Sequence, residues 1–151
     1  MATTTEKLIF GVETTALNAV AIASGANALS AAINNLQGGG GTDGYTLCRA
    51  KAIIAFTTAA AANTGISVWF LKSSDANLTY EDGATGAGYT PLRLPDLVFP
   101  AIPETGVART ISRDILLPAN FFKVLVRNPI ETGQAITSLT LTITPIARQS
   151  V

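Results

Sequence analysis

Residues 138–145 read Ser-Leu-Thr-Leu-Thr-Ile-Thr-Pro. Leu139, Leu141 and Ile143 alternate with Thr140, Thr142 and Thr144. A period of two puts all apolar side chains on one face of an extended strand and all hydroxyls on the other. Threonine is β-branched and suits a solvated strand face. The same period recurs upstream. Phe122, Val124 and Val126 share one face, opposite Lys123, Leu125 and Arg127. Asn128-Pro129 ends that strand, because proline cannot extend a central ladder, and residues 131–133 (Glu-Thr-Gly) supply a turn.

Other segments fit the same class. Residues 45–56 place Thr46, Cys48, Ala50, Ala52, Ile54 and Phe56 on one side, with Arg49 and Lys51 opposite. Residues 66–71, Ile-Ser-Val-Trp-Phe-Leu, read as a strand buried on both faces. The link between these two, with its four alanines at 59–62, is too short to stand as a helix and is expected to close a hairpin. Leu29, Ala32, Ile33 and Leu36 fit helical spacing, with a glycine tract following as a cap. Their short, strand-like neighbours favour a strand there. Residues 16–23 resemble a signal core, but they follow Glu13 and read as a strand. Pro91, Pro95, Pro100 and Pro103 impose an extended arm or edge segment over 92–103. Residues 107–117 resume strand character. Many short strands joined by Gly and Pro turns predict an all-β, single-domain β-sandwich or jelly roll. The expected layout is an N-terminal arm over 1–8, a sandwich over 9–151 and a long polar loop over 75–90.

The chain of 151 residues is about one domain's worth. Ten basic and ten acidic residues give no net charge, which argues against a nucleic-acid-coating protein. Charged residues are only 13% of the chain, against about 25% in an average soluble domain. The surface must then rest on Ala, Thr, Ser, Gly and Asn. Such a surface suits a component of an assembly whose neighbours cover it.

Candidate chemistry is sparse. There is no histidine, so the commonest general base and metal ligand is missing. The one cysteine, Cys48, lies in an apolar run and reads as a buried thiol. The Gly38–Gly41 tract lacks the lysine of a phosphate-binding loop. Asp75, Asn77, Glu81 and Asp82 offer oxygens on one loop without calcium-loop spacing, and read as turn acids. No catalytic, cofactor or metal site is therefore assigned, and no enzyme is expected. Tyr80 and Tyr89, on the polar loop, are the candidate sugar-stacking residues. Thr3, Thr4, Thr5 and Leu8 of the arm, with Leu94, Leu97 and Phe99 of the Pro-rich segment, are the candidate partner contacts. An extended arm can add backbone hydrogen bonds at a neighbour's sheet edge.

Several stretches carry a family resemblance. They are residues 71–83 (LKSSDANLTYEDG), 93–100 (RLPDLVFP), 113–128 (RDILLPANFFKVLVRN), Gly133-Gln134-Ala135, and 139–145 (LTLTITP). Together they resemble small virion structural proteins of tailed bacteriophages, of the capsid-decoration (cement) or auxiliary kind. The resemblance implies a jelly-roll-like module bound to a capsid, with the major capsid protein or another virion protein as partner. It also implies a symmetric homo-oligomer, a trimer first, in a virion assembled in the host bacterial cytoplasm. No nucleic acid, membrane or cofactor partner is expected. A neck, tail or baseplate component, or a glycan-binding sandwich displayed on the particle, is the alternative.

Overall fold

The alternation at 138–145 lies in the longest strand among the described residues, β10 (Ile136–Ser150). The structure, a computed structural model, describes residues 6–35, 45–58, 64–73, 90–101, 104–118, 121–129 and 134–150. The other strands are β1 (Glu6–Phe10), β2 (Thr14–Ile22), β3 (Asn27–Leu29), β4 (Ile33–Asn34), β5 (Leu47–Phe56), β6 (Gly65–Ser73), β7 (Leu97–Pro100), β8 (Arg109–Leu116) and β9 (Phe121–Arg127). No helix occurs among the described residues.

Two antiparallel sheets pack together as a β-sandwich. In the first, β10 pairs with β5 on one side and β5 with β8. On its other side β10 pairs with β1 and β2, which follow one another along the edge. In the second, β9 pairs with β6 and β6 with β7, while β3 and β4 share the far side of β9. The inward faces meet in one core. Cys48, Ala50, Ala52, Ile54, Phe56, Leu139, Leu141 and Ile143 come from the first sheet. Ile66, Val68, Phe70, Phe99, Phe122, Val124 and Val126 come from the second. Phe70 and Phe122 meet edge to face, 5.6 Å between centroids.

The period-two patterns thus identify the strands and their inner faces, with three differences. The link after β5 is not a hairpin, because β5 and β6 belong to different sheets. β9 and β10, consecutive in sequence, likewise belong to different sheets. Thr142 is buried, since β10 is an interior strand flanked on both sides, and Thr140 and Thr144 are half-covered. From Glu6 on, the expected arm is a sheet strand, because β10 continues past Pro145 and gives β1 a partner from Ile146 to Ser150.

Proline inside an interior strand needs an explanation. The Pro145 carbonyl accepts a 2.8 Å bond from Gly11 N. Within an antiparallel ladder the N and O of one residue face the same neighbour. The missing N–H of Pro145 therefore faces the join between β1 and β2, where the ladder is already interrupted. Gly11 allows this approach: a Cβ there would lie 3.0 Å from the Tyr45 ring and 3.2 Å from Pro145 Cβ.

Over 29–34 the helical spacing gives way to a broken edge strand. β3 and β4 flank Ser30, whose hydroxyl accepts from Val124 N at 2.9 Å while Ser30 N donates to Val124 O. A side-chain oxygen thus continues the ladder across the break. Buried Asn35 closes the next loop: its Nδ2 donates to Tyr45 O (2.8 Å) and Pro118 O (2.6 Å), and its Oδ1 accepts from Tyr45 N (3.2 Å). Asn35→Ala leaves three backbone groups without this partner. It should cost about 2–4 kcal/mol, measured by urea denaturation.

Cys48 is fully buried and faces the core. Burial, with a smaller contribution from the Asp114 charge, pushes its thiol up to about 12. The folded protein should show no reactive thiol toward a disulfide reagent at pH 8. One equivalent should react once guanidinium unfolds it.

Candidate interaction surface

The outward face of the first sheet is built in rows by its strand register. One row runs across the sheet as Phe10, Ile146, Leu47 and Leu116. All four are apolar. Phe10 is 53% exposed and Leu116 76%, while Ile146 is covered. Leu8 and Val12 add exposed apolar surface at the β1 side.

The next row is Thr144, Arg49 and Asp114. Arg49 grips Asp114 as a fork, Nε to Oδ1 at 2.8 Å and Nη2 to Oδ2 at 3.1 Å. The same guanidinium lies 5.9 Å from the Phe10 ring centroid, a cation–π contact that ties the charged row to the apolar one. The following row holds Thr142, Lys51 and Ser112, and Lys51 Nζ reaches Glu13 Oε2 at 3.0 Å. Beyond it stand Thr140, Ile53 and Thr110. This face is therefore hydroxyl-rich, its ion pairs close within the chain, and one end carries an apolar band.

A second apolar feature is held out from the β6 side. Leu92 is 100% exposed and Leu94 87%. The segment carrying them is anchored to β6 beyond the end of β7. Asp96 Oδ2 accepts from Phe70 N at 2.7 Å, and Arg93 Nη2 donates to Phe70 O at 2.8 Å. Arg93 Nη1 and Asp96 Oδ1 pair at 2.7 Å, and Trp69 Nε1 donates to Arg93 O at 3.1 Å. Two side chains thus satisfy the edge of β6 as a neighbouring strand would, so Leu92 and Leu94 project from a fixed support.

Of the sequence-predicted contacts, Leu8 is exposed on β1 and Leu94 on this segment. Leu97 is half-buried against the core, and Phe99 is 1% exposed within it. Phe99 is therefore unavailable to a neighbour: β7 is short, but its pleat still turns Leu97 and Phe99 inward together. Thr3, Thr4, Thr5, Tyr80 and Tyr89 lie outside the described residues. Sequence reasoning missed Phe10, Leu116 and Leu92. The unbroken triplets Leu8-Ile9-Phe10 and Ile115-Leu116-Leu117 carried a signal, because a strand with a single buried face must turn at least one of three outward. Among the described residues, no group of His, Cys, Asp and Glu could hold a metal ion.

No protein-family model, curated protein or solved structure matches this chain.

The Arg49 fork holds the Asp114 carboxyl below its ordinary range, and the hydrogen bond from Lys51 does the same for Glu13. A lowered folded-state pKa means that the unfolded chain takes up the proton first. These pairs therefore contribute stability above the ordinary carboxylate range and lose it as pH falls through their folded-state values. Both pairs are exposed, so each contributes little. Asp114→Asn should make the fall of Tm between about pH 5 and pH 3 shallower than in the wild type, as read by scanning calorimetry.

Proposed function

We propose that this chain is a non-enzymatic structural component of a bacteriophage virion: a capsid-decoration (cement) protein that binds the shell and stabilises it. The reading places it in the particle as a homo-oligomer, a trimer first, with the major capsid protein or another virion protein as partner. The observation that carries it is the outward face of the first sheet. An apolar row crosses that sheet with Phe10 and Leu116 at its two ends open to solvent, beside charges already paired within the chain. Such a face gains by being covered and has no net charge to steer a polyanion. Leu92 and Leu94 offer a second apolar contact on a fixed support.

The jelly-roll form of the sandwich belongs to the same proposal. Among the described residues, counting β1/β2 and β3/β4 as one broken strand each gives eight strands in two sheets of four. Their orders, β1/β2–β10–β5–β8 and β3/β4–β9–β6–β7, support two interlocked Greek keys. That architecture serves viral shell proteins, lectins and cupins alike, so the exposed faces rather than the fold carry the functional reading. The mechanism is mechanical: many modest contacts repeated by symmetry resist the outward pressure of packaged DNA.

The deciding measurement is copy number in purified particles, by quantitative mass spectrometry against the major capsid protein. On the order of hundreds per particle is the expected result. A count of about six to twelve would move the protein to the neck, tail or baseplate, where ring symmetry sets the number. Absence from the particle would overturn the reading. The paired variant Phe10→Ser/Leu116→Ser should bind particles at least about tenfold more weakly. The Tm of the free protein should change little, since both side chains are already exposed.

A further inference from the structure

The outward face of the second sheet has a different chemistry. The register aligns Asn27, Arg127 and Ser67 in one row across β3, β9 and β6. The adjoining row is apolar: Leu29, Leu125 and Trp69, the last two buried. Arg127 is half-buried, and its Nε is buried without a hydrogen-bond partner. Its Nη1 donates to Thr90 Oγ1 at 3.1 Å, and Asn27 Nδ2 donates to the same oxygen at 3.3 Å. Donors from two strands thus converge on one neutral hydroxyl.

No carboxylate among the described residues pairs with Arg127. Each acid whose side chain is described is engaged elsewhere: Glu13 by Lys51, Asp96 by Arg93, Glu104 by Arg109 and Asp114 by Arg49. A guanidinium is a fixed fork of N–H donors matched to the paired oxygens of a carboxylate or phosphate. Holding it half-buried beside Trp69 and Leu125 without a counter-charge is costly. The same low-dielectric surroundings strengthen its attraction for an anion that arrives.

We infer that Arg127, with Asn27 and Thr90 beside it, forms an oxyanion site on the outer face of the second sheet. The site takes an acidic side chain of another protein chain or a free phosphate ion, two sources of one chemistry. It does not depend on the virion reading, since it rests on donor geometry alone.

The test is thermal unfolding of the full chain at constant ionic strength, with sodium chloride exchanged for sodium acetate or sodium phosphate. The expected result is a saturable rise in Tm of about 3–5 °C at ten times the dissociation constant. A response to acetate as well as phosphate assigns a carboxylate; a response to phosphate alone assigns the free ion. Arg127→Met should abolish the response. In chloride its Tm should equal or exceed that of the wild type, because an unpaired half-buried charge has been removed. Should Arg127→Met not fold, Arg127→Lys keeps the charge, loses the fork and should lose most of the response. Equal responses in wild type and variants, or no response beyond chloride in the wild type, would overturn the site.

Discussion

Everything in the first sheet depends on β10. Its 15 residues are hydrogen-bonded to β5 along one side and to β2 and then β1 along the other. Its inward residues Leu139, Leu141 and Ile143 are buried at the centre of the core. Because β10 comes last of the described strands in sequence, β1, β2 and β5 have no shared partner until it is made. The pairing of Glu6 with Ser150 brings the two ends of the described chain together. Assembly of this sheet is therefore non-local, and such topologies fold slowly, because loop closure is opposed by entropy before contacts offset it. The open edges of β5 and β2 must wait, which makes the charged and bulged residues along them useful. Arg49 and Lys51 interrupt the apolar run of β5, and Ala19, at φ 50° in a register shift of β2, distorts an otherwise flat edge.

Strand positions were legible in the sequence because period two is a local property. Phe122, Val124 and Val126, or Leu139, Leu141 and Ile143, announce a buried face with no knowledge of the partner. Partner choice is not local, and there the reading failed. Residues 57–64 look like a hairpin link, since nothing in a turn's composition says whether the next strand pairs with the last or crosses to the other sheet. The same limit applies at 30–32. Ser30 replaces a backbone partner with its hydroxyl, and no spacing rule anticipates that substitution. The prolines left two readings open. Pro91, Pro95 and Pro100 indicated an extended arm or edge segment; β7 is an edge strand whose pleat turns Phe99 into the core, and Arg93 and Asp96 fasten the stretch before it to Phe70.

Apart from Leu8 and Leu94, the candidate surface was legible only as a deficit of charge. A low count of charged residues says that the exterior is apolar and hydroxyl-bearing, but not where. The register supplies the place. Phe10, Ile146, Leu47 and Leu116 come from four strands spread across the whole sequence, and only their alignment makes a band of them. Leu94 was named from the sequence as part of the extended Pro-rich segment, whereas Leu92, two residues before it, was not. Phe10 and Leu116 sat inside apolar triplets, where a core role is the simpler reading.

The few charges are distributed to a purpose that their number alone hides. Exposed ion pairs contribute little to stability. Their stronger consequence here is to neutralise the first sheet's outer face. Arg49 with Asp114 and Lys51 with Glu13 leave Phe10 and Leu116 beside a surface without net charge. The second sheet does the reverse. Arg127 is kept among Asn27, Ser67 and Thr90 with no acid of the described chain beside it, and part of its guanidinium is buried without a partner. One face thus favours apolar cover and tolerates any neutral neighbour, whereas the other discriminates by charge. The two outer faces of the sandwich therefore differ in the chemistry that would satisfy them: apolar cover on the first, an oxyanion on the second.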